Sequence, residues 1–238
     1  MRILLALALA CIPVTLSATT LVIFRTPTSV ILATDSAAVR QDGTGRHHMQ
    51  VDCKIRQSGR WWFLLGGFLQ DTDVDMRDWV ADRLAGASTV TEALASIDDR
   101  SLHARISANR NLWSNRQAGS PLMTIVIAAK DLTVGVVIVS LKASDPFEVM
   151  AESGTCPGSL CPTGGYYLVG EPGDAPPNQL LRSLPDWFKA ANGAAAREWI
   201  RRQIAFTPTL ARPPIDVLQI TQAGATWIDR DPASACKE

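Results

Sequence analysis

The chain has 238 residues, of which 47% are hydrophobic and 19% charged, with Lys+Arg and Asp+Glu equal at 23 each. That composition excludes a disordered tail, a collagen-like fibre and a disulfide miniprotein. The even balance offers no basic excess to hold a nucleic-acid backbone, so no nucleic-acid partner is expected. The length suffices for a core that needs no metal or disulfide support.

Arg2 precedes the apolar run Ile3–Ile12, and Pro13 leads into the small, polar Thr15-Leu16-Ser17-Ala18. An early positive charge, about ten apolar residues and a small-residue end read as a secretory signal peptide over residues 1–18. The alternative is a buried N-terminal strand or helix. The run is shorter than the roughly 18 apolar residues of a spanning helix, and no other run reaches that length. No stable membrane span is expected. Cleavage after Ala18 fits best, with a cut after Ser17 or lipidation at Cys11 as competitors. Residues 19–238 then form one secreted or periplasmic domain of near-neutral charge, and charge names no partner.

In chain order, Thr20–Phe24 and Val30–Ala33 are β-branched and apolar runs about the turn Pro27-Thr28-Ser29, which predicts a hairpin. The polar stretch Gln41–Arg46, with His47 and His48 beside it, reads as a solvated loop, with a metal site as the alternative. Val51–Ile55 and Arg60–Leu65 predict a second hairpin about Ser58-Gly59, carried by Trp61, Trp62 and Phe63. Within Asp71–Leu84, the four-residue spacing of Met76, Val80 and Leu84 predicts a helix. Thr89 with Glu92 three residues on predicts a capping box opening a helix that carries Leu94 and Ile97. Leu102, Ile106 and Leu112 extend the helical pattern. Arg100, Arg105, Arg110 and Arg116 read as its solvated face, or else as a patch for an acidic substrate.

Strands return at Met123–Ala129 and Val134–Leu141, parted by Lys130-Asp131. Residues 151–165 read as loop, Tyr166–Val169 as a short strand and Glu171–Asn178 as a proline-rich turn. Gly193–Ile204 reads as a helix with Trp199, Ile200 and Ile204 on one face, and Ile215–Thr221 with Ala225–Ile228 as a closing hairpin. Hairpins rather than βαβ crossovers dominate. The fold class is therefore α+β, antiparallel sheets with helices laid on them.

Export changes how the cysteines read. Cys53, Cys156, Cys161 and Cys236 follow the cleavage site, and an even set in an oxidising compartment suggests disulfides. The turn-rich Pro157-Gly158-Ser159-Leu160 favours Cys156–Cys161, with Cys53–Cys236 as the other pair. Zinc is the alternative, although Cys-x4-Cys without a neighbouring histidine is a poor zinc pattern.

A cut after Ala18 exposes Thr19 as the first residue, with a hydroxyl and a free α-amine on one Cα. That amine has an ordinary pKa of roughly 7.7–8.0 and can serve as a base near neutral pH. A threonine hydroxyl needs such an adjacent base to become a nucleophile. Thr19-Thr20-Leu21-Val22 followed by Val30–Ser36 resembles the start of proteasome β subunits and their bacterial relatives, the N-terminal-nucleophile hydrolases. The Thr19-to-Asp35 spacing equals the family's spacing from nucleophile to active-site aspartate. Cys53-Lys54-Ile55 resembles the strand of the catalytic lysine, displaced by a loop about three residues longer. Leu65-Gly66-Gly67 resembles the segment whose glycine N–H lines the oxyanion hole, and Ile215–Thr221 with Gly224 resembles the closing hairpin.

The resemblance implies a four-layer αββα sandwich and an amide or peptide hydrolase working through an acyl-enzyme, with no cofactor or metal. Thr19 would attack, Lys54 would lower the amine pKa and favour the deprotonated hydroxyl, and Asp35 would orient Lys54. The Gly67 N–H would meet the oxyanion, a contact of roughly 3–4 kcal/mol. The substrate would be a peptide or a small amide, and family members assemble through helices, which makes a homo-oligomer compatible. Two family features are missing. Ala205–Thr209 supplies no carboxylate where a second aspartate is usual, and Val169–Gly173 supplies no serine. Thr207, Thr209 or Glu171 would have to substitute, and Ala18 replaces the glycine that usually precedes the nucleophile. The alternative is a non-catalytic binding or assembly protein with an eroded site.

Overall fold

A computed structural model describes residues 20–41, 47–67, 74–98, 100–108, 121–142, 148–159, 166–170, 190–206, 208, 211–230 and 236. The predicted signal peptide, Thr19, Cys161, Leu112, Arg110, Arg116 and the Glu171–Asn178 turn lie outside these residues.

The first hairpin pairs β1 (Thr20–Arg25) with β2 (Val30–Asp35). Its turn closes as Thr26 N donates to Ser29 O at 2.8 Å and Ser29 N to Thr26 Oγ1 at 3.0 Å. β3 (Ala37–Gln41) and β4 (His47–Val51) form a separate two-stranded ribbon. This corrects the expectation of a loop at His47 and His48: both belong to β4, opposite Gln41 and Arg40. β5 (Ile55–Ser58) and β6 (Trp61–Gly67) form the next hairpin about Gly59, whose φ of +57° is open to a glycine. The turn falls where the sequence predicts it. The arm expected over Val51–Ile55 is instead Ile55–Ser58, because Val51 closes the ribbon and Asp52–Lys54 is irregular.

β5, β6, β7 (Pro121–Ala128), β8 (Val134–Leu141) and β9 (Val149–Cys156) make a five-stranded antiparallel meander. β9 occupies sequence expected to be loop. It is an edge strand with Glu152 and Ser153 exposed, so no apolar alternation marks it. The other five-stranded antiparallel sheet has the order β10-β1-β2-β11-β12, where β10 is Tyr166–Gly170, β11 Ile215–Thr221 and β12 Gly224–Asp229.

Side chains alternate across each strand, and here both faces are covered. From the first sheet Leu21, Ile23, Leu32, Leu218 and Ile220 meet Leu64, Val126 and Val136 of the second, forming the core between the sheets. Val22, Phe24, Ile31, Ala33 and Val217 face the other way onto α4 (Gly193–Phe206), through Ala196, Trp199 and Ile200. Phe63, Leu65, Ile125, Val137 and Val139 carry α1 (Met76–Leu84), α2 (Val90–Ile97) and α3 (Arg100–Ala108).

The helices follow their local signals. Met76, Val80 and Leu84 are fully buried, as their spacing requires. Thr89 accepts from Glu92 N while the Glu92 carboxylate accepts from Thr89 N, so the capping box is complete. Leu102 and Ile106 seat α3. Cys53 and Cys236 form a disulfide across 183 residues of sequence. Cys156 is also disulfide-bonded.

Candidate active site

Asp35 ends β2 and Lys54 lies in the irregular segment between β4 and β5, and both side chains are fully buried. The Lys54 ammonium donates to Asp35 Oδ1 at 3.0 Å. The same oxygen accepts the Thr20 backbone N–H at 2.8 Å, and Asp35 Oδ2 accepts Arg212 N at 3.4 Å. Asp35 therefore joins the start of β1, the Lys54 segment and the chain leading into β11. Sheet pairing brings two of these together: β1, β2 and β11 are neighbours in one sheet, and Ile215 pairs with Asp35 itself.

Burial is the largest influence on Lys54 and pushes its pKa down from the ordinary 10.5. Asp35 opposes that by charge and by hydrogen bond, and Asp52 and Asp216 oppose it by charge. Burial prevails.

Gly67 ends β6 with a φ of +86°, and a Cβ there would run into the Leu122 carbonyl oxygen. Only glycine fits that combination. Leu65 N donates to Lys54 O at 3.3 Å, so the strand ending in Gly67 runs beside the Lys54 segment. Of the residues singled out by sequence, Asp35 and Lys54 are thus in direct contact and Gly67 terminates the adjoining strand. Thr19, joined to Thr20 by a peptide bond, is outside the described residues, as are Thr207, Thr209 and Glu171.

Several members of the cluster are not evident from the sequence. Ser36 Oγ donates to Asp216 Oδ2 at 2.7 Å, Ser36 N to Pro214 O at 2.9 Å, and Asp52 N to Ser36 O at 2.8 Å. Asp216 had a signal: it shares a strand face with Leu218 and Ile220, where a carboxylate is out of place unless partnered. Arg77 had none, since a helix-start arginine reads as solvated. It is 1% exposed and pairs with Asp52 and Asp75. Burial alone would lower its pKa, but those carboxylates raise it above the ordinary value, so the guanidinium stays charged. Two cations, Lys54 and Arg77, are therefore set among Asp35, Asp52, Asp75 and Asp216.

Among the described residues no group of three or more His, Cys, Asp or Glu side chains is arranged to hold a metal ion, and no helix is long and apolar enough to cross a membrane. Compared with protein-family models and with curated proteins, the chain matches none.

Proposed function

We propose that the chain is an exported threonine hydrolase of the N-terminal-nucleophile kind, a four-layer αββα sandwich that cleaves amide or peptide bonds through an acyl-enzyme. The observation that carries this reading is the buried Lys54–Asp35 pair, with Asp35 also holding the backbone N–H of Thr20. A buried cation is thereby anchored beside the atom that is peptide-bonded to Thr19. The helices on the outer faces of two packed sheets support the sandwich, and the Cys53–Cys236 bridge supports an oxidising compartment.

In this mechanism removal of residues 1–18 frees the Thr19 amine. The Thr19 hydroxyl attacks the substrate carbonyl, its own amine takes the proton, and the Gly67 N–H meets the oxyanion. The proton passes to the leaving amine as the C–N bond breaks. Water then hydrolyses the ester and restores the hydroxyl. Lys54 keeps positive charge near the hydroxyl and disfavours a protonated amine, while Asp35 fixes its position. A second reading, a binding or assembly protein of the same fold, is favoured by the lack of any carboxylate across Ala205–Thr209.

Intact mass and peptide mapping of secreted material, before and after a β-lactone probe, test the proposal. The expected result is a chain starting at Thr19 that gains one probe on Thr19, with labelling abolished in Thr19→Ala. A different first residue, or labelling that survives Thr19→Ala, would sink the hydrolase reading. A correct Thr19 terminus that resists the probe would favour the binding protein.

A further inference from the structure

Asp52–Lys54 carries the buried cation yet belongs to no strand. Its backbone is held by Asp52 N on Ser36 O at 2.8 Å and by Leu65 N on Lys54 O at 3.3 Å, and Cys53 is bridged to Cys236. From the helical side Arg77 completes the hold. Its Nη1 pairs with Asp52 Oδ1 and donates to Cys53 O at 3.2 Å. Its Nε donates to Asp75 Oδ1 at 2.8 Å, and its Nη2 pairs with Asp75 Oδ2. Asp75 also caps α1, accepting Arg77 N at 2.9 Å. One planar fork thus ties the first turn of α1 to both residues that precede Lys54. A buried ion-pair cluster is weak as a source of stability, because apolar residues of similar volume often do as well. What the fork supplies that an apolar side chain cannot is a fixed direction for the Asp52 carboxylate and the Cys53 carbonyl.

We propose that Arg77 is a positioning residue for Lys54: by gripping Asp52, the Cys53 carbonyl and Asp75 together, it sets where the Lys54 ammonium stands against Asp35. The proposal takes Lys54 as the working cation of the reading above, but its readout requires no turnover. Among the charged groups of the described residues that act on Lys54 are Asp35 from β2, Asp52 from its own segment and Asp216 from β11. Arg77 acts through Asp52 and Cys53. Burial is the dominant influence on Lys54, so a loosened segment that lets water reach the ammonium raises its titration midpoint.

The experiment uses the full secreted chain labelled with 13Cε-lysine, the Lys54 resonance being assigned through Lys54→Met. Midpoints are measured for wild type, Arg77→Lys, Asp75→Asn and Leu84→Ala, alongside acetylation of Lys54 by an N-hydroxysuccinimide ester read by peptide mass. Leu84 is fully buried on the same helix and serves as a packing control. In wild type Lys54 titrates below the other lysines and resists acetylation. Arg77→Lys keeps the charge but loses the fork; it raises the midpoint by about one pH unit or more and opens Lys54 to acetylation. Asp75→Asn does the same by less, and decides the matter if Arg77→Lys does not fold. Leu84→Ala lowers the melting temperature and moves neither readout. The proposal is overturned if the fork variants only lower the melting temperature, or if Leu84→Ala moves Lys54 as far as they do. Failure of Thr19 to label would leave this outcome readable, so the two ideas fall separately.

Discussion

Lys54 and Asp35 are each wholly removed from water, a situation tolerated only because the ammonium has a carboxylate at 3.0 Å and further acidic side chains around it. Burial holds the Lys54 pKa below 10.5, so between that depressed value and 10.5 the unfolded chain binds a proton that the folded chain does not. Over that window stability contributed by Lys54 rises with pH. In urea unfolding followed as the pH rises toward 10.5, wild type is expected to gain relative to Asp35→Asn/Lys54→Met by about 1.4 kcal/mol for each unit of depression. A parallel pair of curves would contradict it. The sequence marked Asp35 through its spacing from Thr19 and Lys54 through the resemblance of Cys53-Lys54-Ile55 to a family strand, both one-dimensional signals. It was silent on Arg77, because an arginine opening a helix is ordinarily solvated, whereas here it is buried and reaches Asp52 and the Cys53 carbonyl.

Among the elements, β6 shows how strand geometry serves the site. Gly67 combines a positive φ with a backbone approach to Leu122 that leaves no room for a Cβ. Gly67→Ala is expected to cost more than ~1 kcal/mol in chemical denaturation, beyond the ordinary glycine-to-alanine effect, because the native backbone cannot accommodate it. A variant as stable as wild type would mean that the end of β6 relaxes freely. At the start of α2, Thr89→Ala removes the acceptor for Glu92 N and is expected to cost about 1 kcal/mol by the same assay. The four-residue spacing of α1 and the capping box of α2 were legible because helix signals are local. β9 and the β3–β4 ribbon were not: β9 is a polar edge strand, and its identity rests on pairing with β8.

Across the whole molecule, the Cys53–Cys236 bridge closes 183 residues of sequence, linking the Lys54 segment to the far end of the chain. On chain-entropy grounds such a closure is worth about 5 kcal/mol, and Cys53→Ser/Cys236→Ser is expected to lose most of it in urea unfolding. A loss under ~1 kcal/mol would show that the unbridged unfolded chain is already constrained. By itself the sequence determined which segments are helix or strand where apolar periodicity is strong and that hairpins rather than crossovers connect them, whereas Asp35, Lys54 and Gly67 were singled out by a resemblance. The periodicity and the turns are written in spacings of a few residues. Tertiary structure alone decided that β1 and β2 are covered on both faces, that Asp216 and Ser36 join the cluster, and that Arg77 grips the residues before Lys54. Contacts between positions far apart in the chain leave no periodic trace, and burial, which sets the chemistry of every charge in the cluster, is a property of the packed layers rather than of any one segment.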